Sequence, residues 1–104
     1  MNNIKQIEVK TEFGQCCLLI YLDDVSRGYL TNVEIFKVFR KQGRGDELLE
    51  TALKIAKQQN VSCVALQVDA DSFVRRWYER HGFNELNVYQ HLPQEGHIWM
   101  TKKI

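Results

Sequence analysis

Residues 4–12 alternate apolar and polar side chains about Ile7 and Val9, Phe13-Gly14-Gln15 reads as a turn, and residues 16–22 are dense in β-formers. A second turn at 23–28 leads to residues 29–39, whose Tyr, Val, Ile and Phe predict a third strand. After Gly45 the period changes. Leu48, Leu49, Ala52, Leu53 and Ala56 fall on one face of a helix ending near Gln59-Asn60, with Lys54, Lys57 and Gln58 on the other. Residues 61–68 follow as a strand with Val64, Leu66 and Val68 on one side and Cys63 and Ala65 on the other. Asp71 or Ser72 can cap a second helix with Phe73, Val74, Trp77 and Tyr78 on one stripe, ended by Gly82. Residues 83–89 and 97–103 are two last strands. The order is β-β-β-α-β-α-β-β, a mixed α/β fold. Its sheet is mostly antiparallel, with a central parallel strand-helix-strand unit that requires a right-handed crossover.

The chain has 104 residues, and no linker, repeat or charge block divides it. It is expected to form a single domain over residues 1–104. Fourteen Lys and Arg against thirteen Asp and Glu leave a net charge of +1, so bulk electrostatics do not call for nucleic acid or an anionic membrane, and any anion site must be local. The apolar runs are too short to span a bilayer, and the N-terminus lacks the pattern of a signal peptide. Three cysteines do not make a disulfide framework, so a cytoplasmic protein is expected. Cys16, Cys17 and Cys63 sit among apolar neighbours and read as buried thiols. His81, His91 and His97 have no metal-ligand spacing with Cys, Asp or Glu, so no metal is expected.

Local positive charge does occur, at Arg40-Lys41-Gln42-Gly43-Arg44-Gly45, between a strand and the first helix. Glycines there let the backbone turn tightly, and the unpaired N–H groups of a first helical turn form a seat for an anion. Arg40, Lys41 and Arg44 add cations to it, while Asp46 and Glu47 in the same turn oppose an anion yet suit the helix dipole. The segment is neither a Walker loop nor a dinucleotide fingerprint.

These residues carry a resemblance. "VFRKQGRGDELLETALKIAK" resembles the Gln/Arg-x-x-Gly-x-Gly/Ala motif of the GNAT family of N-acetyltransferases, with Arg40, Gly43 and Gly45 at the matching places. "DSFVRRWYERHGF" is similar to that family's later helix segment, with Tyr78, Glu79, Gly82 and Phe83 matching, and "HIWMTKKI" resembles its last strand. The likeness covers residues 15–104. It implies acetyl transfer from acetyl-coenzyme A, as co-substrate, to a primary amine of a small molecule or protein by direct attack in a ternary complex. It further implies that backbone amides of Gln42, Gly43, Arg44, Gly45 and Asp46 hold the pyrophosphate. Val33 and Ile35 would pair with the pantetheine arm, with Asp71 near it and Tyr78 near the thioester sulfur. Asp71 and Val74 depart from the family's usual Asn and Ala. The residues ahead of Gln15 leave room for a strand but not for the two helices with which the family walls its acceptor site.

Acyl transfer to an amine requires a base for the nucleophile and an acid for the leaving thiolate. From helical spacing alone Tyr78 is a core aromatic; with both motifs in register it is the acid. Glu34, opposite Val33 and Ile35 by alternation, is either a solvent-facing carboxylate or the base, with Tyr29 a second candidate acting through water. Arg75, Arg76 and Arg80 read as the solvated face of the second helix, with Arg75 and Glu79 a supporting pair. A different class of function is a non-catalytic GNAT-fold module that engages a protein partner through an open acceptor side. A homodimer is the other way to complete that side, and Tyr21, Tyr29, Phe36 and Phe39 are expected near the cleft with some uncovered.

Overall fold

The structure is a computed structural model that describes residues 4–21, 27–35, 45–86 and 92–104. Strands β1 (Ile4–Thr11), β2 (Gly14–Tyr21) and β3 (Arg27–Ile35) form an antiparallel meander. Helix α1 (Gly45–Gln58) then carries the chain to β4 (Cys63–Asp69), which lies parallel to β3. Helix α2 (Val74–Arg80), β5 (Asn84–Glu85) and β6 (His97–Lys103) complete a six-stranded sheet of order β1-β2-β3-β4-β6-β5. The mixed α/β class, the element order and the parallel unit are those expected. The third strand starts at Arg27 rather than at Tyr29, and residues 36–39 lie outside the described residues. Of the fifth strand expected at 83–89, Asn84–Glu85 pair in the sheet, Phe83 and Leu86 flank them outside the strand, and residues 87–89 lie outside the described residues.

Both helices cover one face of the sheet. Residues directly opposed across a ladder share a face, so the pairs Val9–Cys16 and Leu18–Leu30, with Ile20, Val64, Leu66, Val68 and Met100, define the helix face. All of them join Leu48, Leu49, Ala52 and Ala56 of α1 and Tyr78 of α2 in one buried cluster. The stripe read from the helical period is therefore the core face of α1, and at roughly 1.5–3 kcal/mol per fully buried aliphatic side chain it anchors the domain.

Each helix ends in a Schellman motif. At the end of α1, Asn60 takes φ +68°, the Val61 N–H bonds the Ala56 carbonyl at 3.0 Å and the Asn60 N–H that of Lys57 at 3.1 Å. At the end of α2, Gly82 takes φ +91°, the Phe83 N–H bonds the Tyr78 carbonyl at 3.1 Å and the Gly82 N–H that of Glu79 at 3.0 Å. The apolar contact that accompanies this motif is between the rings of Tyr78 and Phe83, 5.6 Å apart. At the start of α2 the Ser72 hydroxyl accepts the Val74 N–H at 3.0 Å, so Ser72 rather than Asp71 engages the first turn. Phe73 departs from the expected stripe. It is 84% exposed, because the helix begins one residue after it.

The other face carries no helix among the described residues. Its strip of Tyr29 and Trp99, with ring centroids 5.5 Å apart, is bordered on the β1 side by Gln6 and Glu8. The polar alternation of β1 suits its end of that face to water, while Cys17, Ala65, Trp99 and Thr101 further along the face are buried.

Candidate active site

The site begins where the parallel pair stops. Strands β3 and β4 are in register only at Arg27–Cys63, Gly28–Val64 and Tyr29–Ala65, and each then continues without pairing to the other. A β-bulge separates them further. Gln15 pairs with Glu34 and Cys17 with Thr31, so Asn32 and Val33 together oppose Cys16. Asn32 takes φ +54°, an αL conformation that Asn tolerates better than most residues. The bulge has a consequence for side chains. It returns Glu34 to the face of Tyr29 and Thr31, where uninterrupted alternation from Leu30 would have sent it to the core.

The notch holds a cleft of about 280 Å³. Leu30, Leu66, Val68, Val74 and Tyr78 line it from the helix face, and Tyr29, Thr31, Gln67, Asp69 and His97 from the open face. Side chains from both faces of the sheet therefore meet along its walls.

Tyr78 sits at the helix-face wall, only 5% exposed, with its ring against Trp77 at 4.8 Å and Phe83 at 5.6 Å. Burial, reinforced by the neighbouring Cys16 thiol, pushes its hydroxyl up to about 12, so it holds its proton across the physiological range. It is both the core aromatic of the helical pattern and a cleft-lining group. Cys16 is itself raised to about 11, mainly by burial, and burial also raises Cys17 and Cys63, which suits none of the three to nucleophilic work.

Gly45 and Asp46 open α1. The Asp46 carboxylate accepts hydrogen bonds from Trp77 Nε1 at 2.7 Å and faces His81 Nε2 at 2.9 Å. These bonds, His81 first and Trp77 second, hold its carboxyl below the usual range. The acid that opposes an anion at this helix start is thus occupied by α2, and its two partners flank Tyr78 in sequence. Lys102 Nζ donates to the His81 carbonyl at 2.6 Å and closes the end of α2.

The other expected site residues fall as follows. Val33 is half-buried against the core and lines the cleft, and the backbone of Ile35 lies at the end of β3. Arg40, Lys41, Gln42, Gly43 and Arg44 lie outside the described residues, as do Phe36, Phe39 and His91. Glu34 is exposed and does not line the cleft. Asp71 is exposed and borders a separate depression at the start of α2, while Ser72 takes the cleft-lining place beside it. Tyr21 and Tyr29 are half-buried, and the exposed large apolar residues among those described are Ile4, Phe73, Leu86 and Leu92. The sequence pattern gives His97 no place at the cleft, yet it lines one wall. Its place on the cleft wall follows from the register of β6 on β4, which no local pattern reports. Among the described residues there is no group of three or more His, Cys, Asp or Glu that could hold a metal, and no helix long and apolar enough to cross a membrane.

The mixed sheet splits where its parallel pair ends, and a buried, protonated tyrosine lies on the wall of the cleft at that split, in an α/β protein. Comparison with known proteins gives the family. The profile described as the acetyltransferase (GNAT) family matches residues 13–83, and the chain belongs to that family. No curated protein sequence matches the chain. Among solved structures, an acetyltransferase from Bacillus cereus ATCC 14579 is 21% identical with TM-score 0.72, over 99% of this chain and 76% of its own. An acetyltransferase from Streptococcus agalactiae 2603 is 19% identical with TM-score 0.74, over 88% of this chain and 60% of its own. The PaiA N-acetyltransferase from Thermoplasma acidophilum, in complex with coenzyme A, is 22% identical with TM-score 0.73, over 88% of this chain and 54% of its own. The chain is similar to these in fold and spans from about half to three quarters of their length.

Proposed function

We propose that this protein moves the acetyl group of acetyl-coenzyme A to a primary amine by direct attack in a ternary complex. The observation that carries the reading is the cleft where β3 and β4 part, with Tyr78 on one wall and the polar side chains of Thr31, Gln67, Asp69 and His97 on the other. Acetyl-coenzyme A supplies the activated acyl carbon as a thioester. The β3 edge beyond Tyr29, which has no ladder partner in β4, offers backbone donors and acceptors at Val33 and Ile35 for the amides of the pantetheine arm. The turn at Arg40–Gly45, with the first amides of α1 at Gly45 and Asp46, would hold the pyrophosphate. The Asp46 carboxylate, the acid in this turn, is engaged by Trp77 and His81, whose donors offset part of its charge. Tyr78 donates its proton to the departing thiolate, a role its buried hydroxyl can fill only while protonated. Glu34, exposed on the same face as Tyr29 and Thr31, draws a cationic amine by its charge. Asp71, solvent-facing, is the weakest of the expected cofactor contacts.

The experiment is a thermal-shift titration with acetyl-coenzyme A followed by thiol-release assays with primary amines. Stabilisation by the cofactor and amine-dependent thiol release are expected. A chain that neither gains stability nor releases thiol is not an acetyltransferase.

A further inference from the structure

The open-face wall of the cleft ends on His97, the first residue of β6. Its Nδ1 lies 3.0 Å from the carbonyl oxygen of Glu95. A carbonyl only accepts, so Nδ1 carries the hydrogen, and in the neutral ring the lone pair is then on Nε2. The turn that holds this ring is tied on three sides. The His97 N–H donates to the Gln94 carbonyl at 2.9 Å, the Gly96 carbonyl accepts the Ala70 N–H at 3.0 Å, and the Gln94 N–H donates to Gln67 Oε1 at 2.7 Å. Register sets Asp69 directly opposite His97 on the same face. Neighbours so placed have Cβ atoms roughly 5 Å apart, so a polar pair stands on the wall of the cleft. Tyr78 lines the same cleft from the other side of the sheet.

We propose that His97 is the general base of amine acetylation, taking a proton from the acceptor amine on the open face. The inference rests on the acetyltransferase reading above. An alkylammonium gives its first proton to His97 Nε2, which passes it to solvent. The freed nitrogen lone pair attacks the thioester carbonyl, so a C–N bond forms and the C–S bond breaks. The thiolate takes its proton from Tyr78, and the second amine proton restores Tyr78. The products are the amide, coenzyme A thiol and one proton released to water. Acceptors of this kind are amines charged at neutral pH, for which proton removal is obligatory.

The test uses the full chain, acetyl-coenzyme A and two probe acceptors: benzylamine, charged at neutral pH, and aniline, which is not. In His97→Gln, kcat/KM for benzylamine should fall about 100-fold, and that for aniline much less. The thermal shift given by acetyl-coenzyme A should stay as in the unaltered protein. Added imidazole should restore much of the benzylamine rate in His97→Ala. A His97→Gln rate with benzylamine within about threefold of the unaltered chain would overturn the proposal, as would equal losses with both amines. An unaltered chain that releases no thiol with either amine overturns the acetyltransferase reading, and this inference with it.

Discussion

Replacing Asp46 with alanine should loosen the protein and slow its chemistry together. The carboxylate links the first turn of α1 to the Trp77 ring nitrogen and to His81, at 2.7 and 2.9 Å. A hydrogen bond to a charged group contributes about 1.5–3 kcal/mol when well shielded. The Asp46 side chain is 47% exposed, so water replaces part of each bond and screens the charge, leaving roughly 1–2 kcal/mol for the pair. In a domain of this size that corresponds to a fall in Tm of about 5–15 °C. Thermal unfolding by circular dichroism measures it. The folded-state carboxyl is lowered from its ordinary 3.8, so its contribution is complete above that value and lost as pH falls through the lowered one. The gap between unaltered and Asp46→Ala protein should therefore close on acidification. Equal melting temperatures at neutral pH, or a gap that persists at pH values below the carboxylate range, would refute the clamp. Because Trp77 and His81 flank Tyr78, kcat should drop more than cofactor affinity.

Tyr78→Phe should reduce kcat about 100-fold with cofactor affinity little changed, since ring and packing survive; activity within about threefold of the unaltered enzyme would return Tyr78 to the core alone. Tyr78 and Cys16 are raised to about 12 and about 11, so the stability each contributes is intact below its unfolded value and is lost as pH rises through the folded one. Alkaline melts should show a decline beginning near pH 9 whose first part is reduced in Cys16→Ala. Gly45→Val, placing a branched side chain where α1 begins, should abolish coenzyme A binding in calorimetry while the chain stays folded, and binding by the unaltered protein should weaken with salt.

The periodicity of residues 48–56 and the alternation of residues 63–68 gave their elements and core faces almost residue for residue, because burial alone dictates them. Tyr78 was visible by its place in a helix stripe and a motif. What the sequence hid is long-range or depends on backbone irregularity. The partners of Asp46 lie 31 and 35 residues away, and without them the acid looked like an argument against an anion. The bulge at Asn32 has no glycine to announce it. Phe73 matched the helical spacing but lies ahead of the first turn, so its ring faces solvent. His97 acquires its position only through strand pairing.

The brief parallel joint between β3 and β4 also makes the sheet two plates on a short seam. One plate is β1, β2 and β3; the other is β4, β6 and β5; three registered pairs sew them together. A ligand whose amides engage the open β3 edge would act as a brace across that seam. Its binding energy would then appear as rigidity of the whole sheet: at a concentration 100 times Kd the native state gains about 2.7 kcal/mol. Amide hydrogen exchange should register this first at residues 27–29 and 63–65, where the plates meet, and later in the interior of β2. On that expectation the cleft would also be the line along which the sheet gives way first.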